Sequence, residues 1–303
     1  MFFKKVDPTR RIFPLPFSPV MRYNTINNDF YGLTVDCWQQ ESEITMGKII
    51  AITNQKGGVG KTTTSVNLSA CVAARGNRVL CIDIDPQGNT SSGFGVRVSE
   101  NMPTIYEVLT GEKTAAGAAQ KTCVEGLDLI ASDTRLAGAE VELVSVQKRE
   151  FVLRDALSAV RDQYDFIFID CPPSLSLITV NSLCAADSVL VPIQCEYYAL
   201  EGVSALMDTV SRVQKYYNKR LSIEGVVLTM LDARTNLGLQ VVQEVKKYFK
   251  GKVFASVIPR NVRLGEAPSH GLPIHLYDPR SSGAEAYRDL ADEFLERNRG
   301  KRK

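Results

Sequence analysis

Two lysines bracket three glycines in Lys56-Gly57-Gly58-Val59-Gly60-Lys61, and the string continues into Thr62-Thr63-Thr64. A glycine-rich turn that opens a helix aims consecutive backbone N–H groups and the positive end of the helix dipole at one point, which makes a cradle for phosphate. The common phosphate-loop spacing, G-x-x-x-x-G-K-[ST], asks for glycine where this chain has Gln55. In that scheme Lys61 reaches the β- and γ-phosphates and the Thr62 hydroxyl binds Mg²⁺. Lys56 has no task in it, so a polyphosphate ligand accounts for one lysine and leaves the other to be explained.

Acidic residues stand where such a ligand would need them. Phe166-Ile167-Phe168-Ile169-Asp170 places a carboxylate after four apolar residues, the Walker B arrangement that holds Mg²⁺ directly or through water. Cys81-Ile82-Asp83-Ile84-Asp85-Pro86-Gln87-Gly88-Asn89 ends a second apolar run in acid and turn formers. Taken one at a time, such aspartates also serve as strand-end caps or turn formers. His270 and His275 have no clustered cysteine or carboxylate partners and read as structural or loop residues.

These residues need a scaffold that brings several strand ends together. From Lys48 onward, apolar strand-length runs alternate with amphipathic helix-length segments, the pattern of a doubly wound, mostly parallel α/β sheet flanked by helices. The spacing predicts strands over 49–54, 78–83, 127–131, 165–170, 188–193, 223–230 and 253–258. It predicts a helix over 62–75 closed by Gly76, and another over 236–250 with Leu239, Val242, Val245 and Phe249 on its apolar side. Ligands of such sheets collect at the carboxyl ends of the strands, where the glycine turn, Asp85 and Asp170 all fall. No internal repeat or composition break divides 46–298, which reads as one domain. Residues 1–45 carry Pro8, Pro14, Pro16 and Pro19 without sustained periodicity and read as a poorly ordered extension, with Met46 as an alternative start. Residues 299–303 form a basic tail.

The chain has 303 residues and a net charge of only +2, so any nucleic-acid contact must come from a local patch. Its seven cysteines show no Cys-x-x-Cys pairing and sit mostly in apolar segments, as free thiols of a reducing cytosol do. No run of about eighteen apolar residues is present and the N-terminus lacks a contiguous hydrophobic segment of signal-peptide type, so neither a membrane span nor a signal peptide is expected.

The two lysines around the glycines resemble the deviant Walker A motif of the ParA/MinD family of P-loop ATPases. Three further strings, Cys195 to Gly202, Thr229 to Asn236 and Pro259 to Gly271, resemble the Soj branch of the ParA chromosome-partitioning ATPases; within the last, Gly265 stands where serine is common. The resemblance covers roughly residues 46–298. It implies a fold of the P-loop NTPase class, with ATP and Mg²⁺ as cofactors. The ATP site it implies comprises Lys56, Gly57, Gly58, Val59, Gly60, Lys61, Thr62 and Thr63, with Pro259 and Asn261 against the adenine. Thr62 and Asp170 (via water) would serve the metal. Lys56, reaching a partner's nucleotide, Lys61, and Asp85, positioning the attacking water, would serve catalysis. The resemblance further implies a homodimer formed on ATP binding, non-specific double-stranded DNA binding through Arg234 and Arg263, and weak hydrolysis stimulated by a ParB-type partner. The setting would be cytoplasmic and nucleoid-associated, without a membrane. The alternative is a MinD-like membrane-surface ATPase that places the division site. It would require a lipid-binding C-terminal helix, but Asp289, Asp292, Glu293 and Glu296 within 284–297 would repel anionic lipid. An iron–sulfur or other metabolic enzyme of related fold is a third class, for which the cysteines show no ligand pattern.

Overall fold

Continuous runs of β-branched and aromatic residues become strands because both faces of a parallel sheet are covered. A computed structural model describes residues 46–196, 201–232 and 236–299. Its strands are β1 (Lys48–Ile52), β2 (Val79–Asp83), β3 (Ala119–Lys121), β4 (Leu127–Ile130), β5 (Phe166–Asp170), β6 (Ser188–Gln194), β7 (Ser222–Leu231) and β8 (Val253–Pro259). They form one sheet in the order β3-β4-β2-β5-β1-β6-β7-β8. Every pairing is parallel except β3 with β4. All seven expected strands are present to within two residues at either end. The addition is β3, whose Ala-Gln-Lys sequence carries no apolar run and which exists by pairing antiparallel along the β4 edge.

Alternate residues of β1 point to opposite faces. Ile49 and Ala51 join a core with Leu183, Val203, Leu206, Val210, Val213 and Val245, from the helices Leu177–Ala185, Glu201–Tyr216 and Asn236–Tyr248. Ile50 and Ile52 join the other, with Leu68, Tyr287, Leu290 and Phe294, from the helices Lys61–Ala73 and Ser282–Asn298. There Phe294 meets Phe166 edge-on, ring centroids 5.1 Å apart. The helix Ser282–Asn298 therefore buries Ala284, Tyr287, Leu290, Ala291 and Phe294 of its apolar face in this core. Among the described residues no helix is long and apolar enough to cross a membrane.

One expected side chain lies elsewhere. Leu239 is 47% exposed, while Val241, Val245 and Phe249 are buried, so the inward stripe of the helix Asn236–Tyr248 runs through Val241. The apolar spacing fitted either stripe, and packing against β7 selected one. The extension 1–45, Tyr197, Tyr198, Arg234 and residues 300–303 lie outside the described residues. The described residues belong to a single compact unit.

Candidate functional site

The phosphate-type loop leaves β1 and enters the helix Lys61–Ala73 through Gly60, whose φ of 87° lies in the left-handed region that glycine occupies without strain. Gly58, at φ 73°, makes the preceding turn. Two contacts hold the loop from below: Asn54 Nδ2 donates to the Pro192 carbonyl at 2.8 Å, and Thr229 Oγ1 donates to the Val59 carbonyl at 2.8 Å. Lys61 is 7% exposed and its Nζ donates to the Lys56 carbonyl at 3.1 Å, which folds it back across the mouth of the loop. Burial pulls its pKa below the ordinary lysine value, against the opposing charges of Asp170, Cys171 and Asp85. A buried ammonium held short of its full complement of partners has a standing electrostatic reason to bind an anion.

Asp170 ends β5 beside the loop and is 1% exposed. It accepts three hydroxyls: Thr62 Oγ1 at 2.9 Å, Ser65 Oγ at 2.8 Å and Thr90 Oγ1 at 2.7 Å. Burial raises its pKa and the three hydroxyls oppose the rise. Asp83, in register with Asp170 on β2, is 0% exposed and accepts the backbone N–H and the hydroxyl of Ser91, each at 2.8 Å. Burial, then the Asp170 charge, pushes its pKa up to about 7. Asp85 sits two residues further along, half-buried, and its Oδ1 accepts the Gln87 N–H at 3.0 Å.

Two clefts meet over the loop. The first, about 600 Å³, is lined by Gly57, Gly58, Gly60, Lys61, Thr62, Thr63, Asp85 and Met230, among others. The second, about 370 Å³ and mainly apolar, is lined by Thr63, Met230, Ile258, Pro259, Asn261 and Tyr287, among others. Gly60, Thr63 and Met230 belong to both. A polar pocket continuous with an apolar one suits a ligand that is anionic at one end and flat and aromatic at the other. Asn261 is committed to the wall: its Oδ1 caps the helix Val262–Glu266 at Leu264 N, 3.3 Å, and its Nδ2 donates to Ser282 Oγ at 2.8 Å. Gly265 meets nothing within 4 Å of an added Cβ, so the serine usual there would fit.

Lys56 is placed apart from this pocket. Its Nζ pairs with Glu196 Oε2 at 3.3 Å, at the end of β6, and Arg260 approaches the other oxygen of the same carboxylate at 3.9 Å. Arg263 is exposed and pairs with Glu266 at 2.8 Å and Asp278 at 3.5 Å. The structure thus brings Lys61, Thr62, Asp85 and Asp170 together and sets Lys56 to the side.

Ser65, Asp83, Thr90, Ser91 and Met230 join the site, and Glu196 holds Lys56 beside it, none of them given a role in the sequence reading. Ser65 had a signal, since three residues after Thr62 on a helix it shares Thr62's face. Thr90 and Ser91 follow an acid-rich strand end by several residues, and only the folded turn shows which hydroxyl meets which carboxylate. Met230 takes a φ of 53°, uncommon for a side-chain-bearing residue, at the seam of the two clefts.

Loop, strand-end carboxylates and sheet order define a P-loop nucleoside-triphosphatase of the deviant Walker A type. A family pattern described as an AAA domain matches residues 47–223. The sporulation initiation inhibitor protein Soj of Bacillus subtilis is 62% identical over 248 residues, spanning 82% of this chain and 98% of its own. The chromosome partitioning protein ParA of Caulobacter vibrioides is 52% identical, over 83% and 95%. A solved structure of cobyrinic acid a,c-diamide synthase from Mycobacterium smegmatis, with bound ADP and magnesium, superposes with a TM-score of 0.74 at 37% identity, covering 85% and 98%. The chain belongs to the ParA/Soj family of chromosome-partitioning ATPases, within the ParA/MinD superfamily.

Proposed function

We propose that the protein binds and hydrolyses ATP, pairs with a second copy while ATP is bound, and in that form holds DNA without sequence preference. Buried Lys61 at the mouth of a glycine cradle, with Thr62 and Asp170 paired at its floor, carries the reading. The donor set suits Mg²⁺, which takes one or two protein oxygens and fills its remaining positions with phosphate and water. Thr62 Oγ1 would hold the ion directly and Asp170 through water, and the ion would neutralise charge on the transferring phosphoryl group.

The protein's own residues then divide the work. The backbone N–H groups of Gly58 to Thr63 receive phosphate oxygens, and Lys61 neutralises the β- and γ-phosphates. Pro259 and the capped Asn261 turn form the wall on which adenine rests. Asp85 orients a water in line with the γ-phosphorus, because phosphoryl transfer asks a protein for placement and charge more than for covalent steps. Lys56 exchanges Glu196 for the nucleotide of the second copy, which makes pairing depend on the triphosphate.

Few phosphate contacts per copy bind DNA weakly, and pairing doubles them within one body, so affinity rises through effective concentration. Arg263, with Arg234, would supply such contacts once Arg263 exchanges Glu266 and Asp278 for DNA phosphate. A ParB-type protein would stimulate hydrolysis and return the protein from the nucleoid to the cytoplasm. The relative from Caulobacter vibrioides, named for chromosome partitioning, supports this setting. A gel-shift series with ATP, ADP and no nucleotide tests it: retardation of a non-specific duplex with ATP alone is expected, and equal retardation in all three lanes would contradict the switch.

A further inference from the structure

Asp83 lines neither cleft, yet it grips the segment that carries Asp85 at both ends. Its Oδ1 accepts the Asp85 N–H at 3.2 Å, and its Oδ2 accepts both the N–H and the hydroxyl of Ser91. Between these points the chain closes on itself, with Gly88 N donating to the Asp85 carbonyl and Gln87 N to the Asp85 carboxylate, both at 3.0 Å. Gly88 takes a φ of 64°, and a Cβ there would come within 2.9 Å of the Ser132 carbonyl oxygen, so the turn lies tight against the neighbouring chain. Ser132 N in turn donates to Ser91 Oγ at 3.0 Å.

The ties form two adjacent rungs. Asp83 and Asp170 are register partners on β2 and β5, and the consecutive residues Thr90 and Ser91 each send a hydroxyl to one of them. A shift of Ser91 off Asp83 would pull Thr90 off Asp170 and carry Asp85 with it. A fully buried carboxyl that served only packing would be replaceable by an apolar side chain. Here every hydrogen bond of the carboxylate goes to a single seven-residue turn that faces the ligand cleft.

We propose that Asp83 is a positioning residue for hydrolysis, fixing both ends of the turn 85–91 so that the Asp85 carboxylate faces the cleft. The inference rests on the reading of Asp85 as the water-positioning group. Asp83→Asn keeps the volume but puts an N–H₂ where one donor must be received. Turnover should fall by about tenfold to a hundredfold, the penalty typical of a displaced reacting group. The affinity for MgATP should fall by less than turnover does, because no phosphate contact is lost.

The decisive readout is a double-mutant cycle on single-turnover rates of MgATP hydrolysis. Asp83→Asn combined with Asp85→Ala should be no slower than Asp85→Ala alone, since Asp83 acts through Asp85. Wild-type turnover in Asp83→Asn beside a slow Asp85→Ala overturns the inference alone, as does a double variant slowed by the product of the two factors. Wild-type turnover in Asp85→Ala overturns the reading of Asp85 and the inference with it. Should Asp83→Asn fail to fold, Ser91→Ala, which removes one hydroxyl contact and keeps the backbone one, enters the same cycle with the same outcomes.

Discussion

Thr62 and Asp170 are joined by a 2.9 Å hydrogen bond from hydroxyl to carboxylate, across 108 positions of sequence. The bond places a hydroxyl from the first helix turn against a carboxylate at the end of a neighbouring strand, and on the proposed reading these two would hold the magnesium of a bound triphosphate.

Lys61 and Asp85 should separate binding from turnover. Lys61→Ala removes the buried cation and is expected to weaken MgATP binding by at least about a hundredfold, the scale of a lost charge-assisted contact in a partly desolvated site. Asp85→Ala should keep affinity, lose most turnover and accumulate a dimer in the presence of ATP. Fluorescent-nucleotide titration beside a phosphate-release assay reads both, and equal loss of affinity in the two variants would contradict the division.

Lys56 should behave unlike Lys61. Its pair with Glu196 is partly solvent-exposed, with side-chain exposures of 31% and 47%, so breaking it should change stability by no more than about 1 kcal/mol. Lys56→Ala is expected to bind MgATP nearly as well as the parent yet stay monomeric by light scattering. An ATP-dependent doubling of mass in that variant would count against a role across the dimer.

Arg263→Glu tests the DNA surface. Its present partners are acidic, so reversal creates repulsion with Glu266 and Asp278 as well as with phosphate. DNA affinity should fall and the slope of log affinity against log salt should flatten by about one phosphate contact per copy, with dimerisation intact. An unchanged slope would move the surface elsewhere.

The closing ties of the fold also make a stability prediction. The Glu224 side chain, 5% exposed near the start of β7, pairs with Lys48 of β1, and Asn298 at the end of the last helix bridges them, donating to Glu224 at 2.8 Å and accepting from Lys48 at 2.6 Å. Burial works to raise the Glu224 pKa, but the Lys48 charge and the hydrogen bonds outweigh it, and the net value lies below that of an ordinary glutamate. A depressed carboxylate stabilises the fold above the unfolded-state pKa of about 4.3, and that contribution is lost as pH falls through the folded-state value. Glu224→Gln should cost about 1–3 kcal/mol at neutral pH and less in acid; urea melts at pH 7 and at about pH 3 measure the difference, and an equal cost at both would contradict it.

The strands and the loop were legible because their signals are local. Ile49 to Ile52 and Phe166 to Ile169 are unbroken apolar runs, and the glycines with Lys61 and Thr62 are contiguous. β3 was not legible, since Ala119-Gln120-Lys121 owes its conformation to the edge it joins. The hydroxyl ring around Asp170 and the Glu196 partner of Lys56 were hidden for the same reason: the sequence supplies many threonines, serines and glutamates, and only tertiary contact selects among them. The ion pairs of Arg263 were partly legible, as Glu266 lies three residues along the same helix.

Calorimetric titration of ATP into the protein with magnesium present tests the central claim most directly. Saturable heat at one nucleotide per chain, abolished by Lys61→Ala, is the predicted result. Absence of heat in the parent protein, or undiminished heat in Lys61→Ala, would contradict a triphosphate site built on this loop.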